Sequence, residues 1–320
     1  MQSLNLRYNM FDFLLKKINI DNNTINCLDK SSGSIFELFY YDRYKYKLTN
    51  LNIFLIKVIG EQSLMGTVYL SKYKNYKFVT KIILLNNFSI KELEITEKLS
   101  NIAYKNKNIH LPLLYGHSLC NKINIDLKLL DDKKYNPNNS YYCLFIELYE
   151  GSMYILLLKL LKLYRNQNFV NYINNIIIQC FISILSCHIN NIYHNDAHIN
   201  NFLYSFSKLD FNEYSYKYLV NSNLEFNLNS YPFIISICDF GLSEFNDNDN
   251  DFKEDYKKFL DSIKRYYIDK YELNDKINLD FIYDLLNKSN NDYEFFKNLK
   301  ENNYFNDNND NKTEIVINLV

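Results

Sequence analysis

This sequence has no excess of positive or negative charge. Its 320 residues include 36 lysines and arginines against 37 aspartates and glutamates, a formal net charge of −1. Proteins that bind DNA, RNA or anionic membranes do so with clustered excess cations, which neutralise phosphate groups. The balanced charge therefore argues against nucleic acid and against a membrane surface as partners.

Paired cysteines and long apolar segments are missing as well. The six cysteines are scattered without a CxxC pair, which is typical of buried, reduced thiols in an intracellular protein. The first nine residues are polar, and no signal-peptide pattern follows them. The most apolar helix candidate, residues 153–164, is shorter than the roughly 20 residues that span a bilayer. These features predict a soluble protein of the cytoplasm or nucleus, with no signal peptide and no transmembrane segment.

The pattern of apolar residues changes along the chain. Hydrophobic residues make up 47% of the sequence, enough for a sizeable core. Short apolar runs predict five strands, at residues 52–59, 67–72, 76–85, 110–115 and 141–148. A helix is predicted at 89–99, with Ser89 as its N-cap, and buried helices at 169–190 and 255–267, where apolar residues recur at three- and four-residue steps. The sequence thus predicts an α+β fold in which a β-rich half precedes a helical half.

Two features of the β-rich half could bind a nucleotide. Gly60 and Gly66 flank a turn between strand-like segments, where backbone amides can approach phosphate groups. Lys81 lies in an apolar strand, and its ammonium group could be held by one of three glutamates of the next helix: Glu92, Glu94 or Glu97. Each feature also has an ordinary interpretation, because hairpins often carry glycines, lysines reach solvent from edge strands and helices expose glutamates.

The strongest signal lies in the helical half. The segment YHNDAHINNFLY, residues 193–204, offers the carboxylate of Asp196 and the amide of Asn201 in a loop. Further on, ISICDFGLSEF places Asp239 at the end of an apolar strand. Phosphoryl transfer needs one carboxylate to orient the attacking hydroxyl, and an amide and a second carboxylate to hold Mg²⁺ on the phosphates. The sequence therefore predicts a phosphotransferase.

These motifs together resemble the signature set of the protein kinase-like superfamily, over roughly residues 52–285. The glycine-rich turn, the V-A-I-K lysine, the helix-C glutamate, H-R-D…N and D-F-G occur here in that order. The resemblance implies a bilobal protein kinase-like fold. Its β-rich N-lobe and hinge would span 52–149 and its α-helical C-lobe 150–290, with an insert at about 205–231. Residues 1–51 would be an N-terminal extension of unknown role, and 291–320 a polar C-terminal tail.

The resemblance also implies roles for individual residues, with ATP and Mg²⁺ as cofactors and an unidentified protein as substrate. Asp196 would accept the proton of the substrate hydroxyl, and Asn201 and Asp239 would hold Mg²⁺. Lys81, fixed by Glu92, would hold the α- and β-phosphates. ATP as a whole would be bound by residues of the β-rich half and the hinge: Gly60, Gly66, Val68, Val79, Lys81, Glu147 and Tyr149.

Departures from the usual kinase pattern indicate which branch of the kinase superfamily the sequence resembles. The turn lacks its middle glycine, Asn195 replaces the arginine that pairs with an activation-loop phosphate, His198 replaces a lysine, and no A-P-E follows D-F-G. The pattern H-x-D-x-H-x-x-N without A-P-E is similar to haspin-like atypical kinases, in which a helix opened by an aspartate soon follows. Asp255 is our candidate for that residue, buried and bracing the catalytic loop. The resemblance favours a serine/threonine protein kinase.

Three other interpretations remain open at this point. Aminoglycoside and choline kinase-like enzymes also carry H-x-D-x-H-x-x-N, so the substrate could be a small molecule. A pseudokinase scaffold would keep the fold without the activity, although Lys81, Asp196, Asn201 and Asp239 are all present. His194 and His198 are spaced as in zinc-binding H-E-x-x-H helices, so a metal-dependent hydrolase is a third alternative, but the glutamate is missing.

Overall fold

The computed structural model describes these parts of the chain: residues 2–18, 25–30, 46–48, 53–59, 66–123, 139–163, 167–207, 213–246, 251–273, 277–305 and 312–320. The chain is an α+β protein, as expected, and it divides into two compact units. The barrel unit comprises Leu6–Glu94 and Leu113–Leu148. The helical unit comprises Met1–Asn5, Ile95–Pro112 and Tyr149–Val320.

The strands of the barrel unit form a closed barrel. They are β1 (Ile25–Lys30), β2 (Tyr46–Leu48), β3 (Ile53–Val58), β4 (Gly66–Tyr73), β5 (Tyr76–Leu84), β6 (Leu114–Ile123) and β7 (Tyr141–Ile146). Their order around the barrel is β1-β2-β3-β4-β5-β7-β6. Neighbours are antiparallel except for β1 and β6, which are parallel and close the barrel.

Helix α1 (Gln2–Ile18) belongs mostly to the barrel unit. Its buried side chains, Tyr8, Phe11 and Leu14, recur at three-residue steps and form one apolar face. Phe11 contacts Tyr115 of β6, with ring centroids 6.1 Å apart. Residues 1–51 show no clear apolar period, so this packing was not predicted.

The helical unit contains several helices, and one of them is long, apolar and mostly buried. The helices are α3 (Met153–Leu163), α4 (Gln167–His188), α5 (Lys253–Ile263), α6 (Leu279–Lys288) and α7 (Asp292–Glu301), together with the second half of α2 (Asn87–Lys105). In the described part of the chain one segment, Phe169–His188 of α4, is long and apolar enough to cross a membrane. It is 78% buried inside the protein, as in the core helix of a soluble protein.

Short strands complete the helical unit. They are β8 (Gly151–Ser152), β9 (Ile192–Tyr193), β10 (Phe202–Phe206), β11 (Tyr214–Asn221), β12 (Leu224–Asn229), β13 (Phe233–Ile237), β14 (Glu244–Phe245) and β15 (Thr313–Asn318). They pair as β13-β10-β8, β12-β11-β15 and β14-β9. The first and last of these sheets flank the segments that contain Asp196 and Asp239.

The insert and the C-terminal residues fold together. Strands β11 and β12 form a hairpin within the insert, and β15 pairs with β11 in parallel. Residues 291–320, which the sequence predicts to be a polar tail, contain α7, whose Phe295 and Phe296 are fully buried. Phe226 of β12 stacks on Phe296 at a centroid distance of 5.5 Å. Aromatic packing thus joins segments that are far apart in sequence.

Two local predictions need correction. The predicted strand at 110–115 is wrong, because β6 begins only at Leu114, after Pro112, which has no N–H group for a strand ladder. Ser89 is not the N-cap of α2. Asn86 caps this helix by accepting the Ser89 N–H at 2.9 Å, while the Ser89 hydroxyl accepts the Asn86 N–H at 2.9 Å.

The cysteines also differ from the expectation of reduced thiols throughout. Cys143, Cys180, Cys187 and Cys238 are free, whereas Cys120 is disulfide-bonded. The side chain of the sixth cysteine lies outside the described part of the chain. Spacing in the sequence could not reveal this, because strand pairing decides which cysteines meet.

Candidate active site

The loop between β9 and β10 holds Asp196 close to Asn201. The Asn201 side-chain amide donates to the Asp196 backbone oxygen at 2.9 Å and to Asp196 Oδ2 at 3.0 Å. Asn201 is buried, at 7% exposure, whereas 38% of the Asp196 side chain is exposed. The buried amide therefore orients a partly exposed carboxylate, a contact that the sequence motif does not by itself predict.

Asp239 lies at the same end of the sheet as Asn201. Strands β10 and β13 are antiparallel with Phe202 opposite Ile237, and the Cys238 N–H donates to the Asn201 backbone oxygen at 2.8 Å. Asp239 is exposed and takes a left-handed backbone conformation, φ 64° and ψ 74°. Non-glycine residues adopt this conformation rarely, and such residues cluster at functional sites.

Asn201 and Asp239 have the chemistry of a magnesium site. Asn201 uses its amide nitrogen on Asp196, so its amide oxygen is the atom that can bind a cation. Asp239 adds a carboxylate, and Mg²⁺ prefers such oxygen ligands. The two residues therefore fit the metal that the sequence predicts for them.

His194 fixes the loop and is not a metal ligand. Its Nε2 donates to the Cys238 backbone oxygen at 2.9 Å, and its Nδ1 accepts the Asp196 N–H at 3.3 Å. The ring packs edge-on against Phe240, with centroids 5.4 Å apart, as expected from the resemblance. Because both ring nitrogens are occupied, His194 cannot form the zinc pair with His198 that the hydrolase alternative requires.

Asp255 braces the catalytic loop from the first turn of α5. Its side chain is buried, and its two oxygens accept the backbone N–H groups of His194 at 2.7 Å and of Asn195 at 2.8 Å. Burial by itself would raise the pKa of Asp255, but the hydrogen bond and charge of His188 outweigh burial and lower it. The carboxylate is therefore ionised at neutral pH, and the prediction of a buried bracing residue is confirmed.

His188 supports Asp255, and the sequence did not single it out. Its Nε2 contacts Asp255 Oδ2 at 3.1 Å, and its Nδ1 contacts Asp292 Oδ1 at 2.9 Å. Tyr256 also donates to that Asp292 oxygen, at 2.5 Å. Burial lowers the pKa of His188, but the two carboxylates outweigh burial and raise it to about 9. The imidazolium is thus charged at neutral pH and donates to both carboxylates. Helical spacing predicts that this histidine is buried, but not which partners it meets.

His198 adds a second contact to Asp196. Its Nδ1 accepts the Asn200 N–H at 3.2 Å and so caps the 3₁₀ turn Ile199–Asn201. This leaves Nε2 to approach Asp196 Oδ2 at 3.4 Å. Within the described ranges, both side-chain contacts of the Asp196 carboxylate therefore fall on Oδ2. These two contacts do not involve Oδ1.

In the barrel unit, Lys81 and Glu92 form a buried ion pair. The Lys81 ammonium is 2.5 Å from Glu92 Oε1, and their side chains are only 8% and 4% exposed. Glu94, an alternative partner, is exposed. The strand register places Val68 opposite Lys81 and Val79 opposite Ile146, so these four side chains lie on one face of the barrel. That face therefore carries three of the predicted nucleotide-binding residues.

The other residues predicted to bind the nucleotide are Gly60, Gly66, Glu147 and Tyr149. Gly60 lies outside the described residues. A Cβ atom on Gly66 would lie 2.3 Å from the Ile82 backbone oxygen, so close strand packing by itself requires glycine there. Glu147 follows β7 and binds Arg7 through its carboxylate. Tyr149 belongs to the helical unit, where its hydroxyl donates to Ser236 Oγ at 3.0 Å.

Comparisons with known proteins add no family to this geometry. No protein-family model matches the chain, and no curated protein matches it. The function has to be argued from the two groups of residues themselves.

Proposed function

We propose that this protein is an ATP- and magnesium-dependent phosphotransferase that phosphorylates serine or threonine side chains of proteins. One observation carries the proposal. A partly exposed carboxylate, Asp196, is oriented by the buried amide of Asn201, on a loop whose backbone is fixed by the buried carboxylate of Asp255. Phosphoryl transfer depends mainly on such positioning and on charge neutralisation, with little covalent chemistry by the protein.

In the proposed reaction Asp196 acts as the general base. Its Oδ1 accepts the proton of a substrate hydroxyl while Oδ2 remains held by Asn201 and His198. The hydroxyl oxygen forms a bond to the γ-phosphorus of ATP, and the bond from that phosphorus to the bridging oxygen of ADP breaks. Mg²⁺, held by the Asn201 amide oxygen and the Asp239 carboxylate, would neutralise charge on the phosphates.

Lys81 is suited to bind phosphate oxygens. Its ammonium is buried but remains charged through Glu92, which offsets the cost of removing the charge from water. Stability alone does not explain an ion pair at this position. A buried ion pair is often no more stabilising than apolar residues of the same size. A role in binding an anion accounts for its retention.

Small-molecule kinases are the second candidate, since they share H-x-D-x-H-x-x-N. Asp255 favours the protein kinase alternative, because by resemblance an aspartate-opened helix soon after D-F-G characterises the haspin-like branch, and here this residue binds the loop backbone directly. A scaffold without activity is disfavoured because the Lys81–Glu92 pair and the Asp196–Asn201 contact are both formed.

The test is transfer of labelled γ-phosphate from Mg·ATP. Wild type and Asp196→Asn would be offered casein and histones and, separately, choline and aminoglycosides. The matched control is Asp280→Asn, because the Asp280 side chain is 84% exposed and pairs only with Lys264 among the described residues. We expect label on protein serine or threonine with wild type and the control, and a loss of about 10²–10⁴-fold with Asp196→Asn.

Each other outcome changes the conclusion. Label on a small alcohol moves the assignment to small-molecule kinases. Full transfer by Asp196→Asn contradicts the role of Asp196. Absence of transfer and of ATP binding in wild type rejects the phosphotransferase, and ATP binding without transfer favours a scaffold.

A further inference from the structure

A bidentate ion pair links helix α1 to the residue that follows β7. Arg7 Nε donates to Glu147 Oε1 at 2.7 Å, and Arg7 Nη2 donates to Glu147 Oε2 at 2.8 Å. Their side chains are only 13% and 14% exposed. Parallel hydrogen bonds between guanidinium and carboxylate fix direction as well as distance, and partial burial protects them from screening by salt. This contact therefore holds the Glu147 side chain in one orientation.

The backbone of Glu147 is held from the other side by Leu113. The Glu147 N–H donates to the Leu113 backbone oxygen at 2.9 Å, and the Leu113 N–H donates to Glu147 Oε2 at 3.3 Å. The carboxylate thus joins α1 to the chain segment that leads into β6. Arg7 supplies two hydrogen bonds to this carboxylate, so its loss would leave a mostly buried charge with poorer compensation.

Helix α1 has its own contacts with the barrel unit, so Arg7 is not what attaches it. Phe11 packs on Tyr115 at a centroid distance of 6.1 Å, and Phe13 packs on Tyr76 at 4.8 Å. Leu14 is fully buried. Apolar burial of this size supplies the docking free energy. The ion pair at the other end of the helix adds a directional contact to an element that is already in place.

The geometry points to Arg7 as a positioning residue for nucleotide binding, through its bidentate contact with Glu147. The inference rests on the proposed function and on the resemblance, which implies that Glu147 belongs to the hinge that binds ATP. Arg7 itself touches neither the reacting atoms nor Asp196. Its loss should weaken ATP binding and leave the chemical step unchanged, because the residues of that step belong to the other unit.

A charge exchange tests the contact. Arg7→Glu and Glu147→Arg each place like charges together, and the double variant restores an ion pair of reversed polarity. We expect the KM for ATP to rise about fivefold or more in each single variant, with kcat within about twofold of wild type. The double variant should return the KM to within about threefold of wild type. Arg265→Glu is the matched control, because Arg265, like Arg7, lies over the ring of the following tyrosine, at 5.3 Å.

Further measurements separate the possible failures. Arg7→Gln and a thermal melt identify a variant that fails only because it unfolds. Amide hydrogen exchange at Glu147, measured without nucleotide, should speed up in Arg7→Gln and Arg7→Glu and slow again in the double variant. If wild type binds no ATP, the proposed function fails and the exchange result still decides the contact. An unchanged KM in folded Arg7→Glu, or no recovery in the double variant, overturns the inference.

Discussion

Asp255 Oδ2 accepts the backbone N–H of His194 at 2.7 Å across 61 residues of sequence. The neighbouring bond, from the Asn195 N–H to Asp255 Oδ1, is 2.8 Å long. Because both donors belong to the backbone, these two bonds do not depend on the side chain at either position. Asn195 can therefore stand where the resemblance would place an arginine. The carboxylate of Asp255 is the part of this arrangement that cannot be exchanged.

Replacing Asp255 should cost both stability and activity. Asp255→Ala leaves two buried N–H groups without an acceptor and the His188 cation with one carboxylate fewer. Removing one partner of a buried pair costs about 3–5 kcal/mol. Urea unfolding would measure the free energy of unfolding, with exposed Asp280→Asn as control. A change below about 1 kcal/mol would contradict the bracing role, since surface substitutions commonly have effects of that size.

The stability of the helical unit should depend on pH through His188. Its folded pKa of about 9 lies above the unfolded value of about 6.5. The stabilisation is therefore complete below about pH 6.5 and is lost as the pH rises through about 9. This stabilisation is on the order of 3 kcal/mol. The free energy of unfolding of wild type and His188→Gln, followed from about pH 6 to about pH 9.5, would measure it by difference.

Both proteins contain the other titratable groups around His188, so the difference between wild type and His188→Gln removes most of their contribution. Asp255 and Asp292 contact it directly, and Asp255 has a lowered pKa, so its contribution is lost only at acid pH. Burial raises the pKa values of its neighbours Tyr193 and Tyr256, and of the Cys187 thiol. The same pH slope in wild type and His188→Gln would show that His188 does not carry the dependence.

The Lys81–Glu92 pair should be required for the use of ATP. Lys81→Met removes the charge that would bind phosphate, so kcat/KM for ATP should fall about a hundredfold or more. Glu92→Gln keeps a hydrogen-bond acceptor but loses the charge, and a loss of about tenfold is expected. Glu94→Gln, on the exposed side of the same helix, should match wild type. If Glu94→Gln and Glu92→Gln lower kcat/KM for ATP equally, the buried pair has no special role.

The Nε2 contact of His198 should help to hold the Asp196 carboxylate in place and so raise kcat. His198→Gln can still donate a hydrogen bond to Asp196, whereas His198→Leu cannot. A half-exposed hydrogen bond contributes about 1 kcal/mol, so kcat should fall about fivefold in His198→Leu and less in His198→Gln. Phosphate transfer at saturating ATP would measure this difference. Equal loss in both variants would mean that only the capping of the Ile199–Asn201 turn matters.

The sequence predicts those features that depend on the local pattern of apolar residues. Strands β3, β4, β5 and β7 and helices α4 and α5 follow the predicted apolar patterns within a few residues. Alternation within β5 places Lys81 and Val79 on one face, since side chains of a strand point to alternate sides. The pairing of Lys81 with Glu92 was predicted as one of three alternatives, and burial of Glu92 in the folded helix distinguishes it.

The sequence by itself determined which residues are the candidates for the proposed chemistry, because Asp196, Asn201 and Asp239 lie in short motifs along the chain. Only the tertiary structure decided what holds them in place. His188 meets Asp255 and Asp292, Arg7 meets Glu147, and β15 meets β11, across separations that no local period encodes. Charged side chains gain from such pairing only once folding removes them from water, so the partner is set by the packed structure and not by spacing.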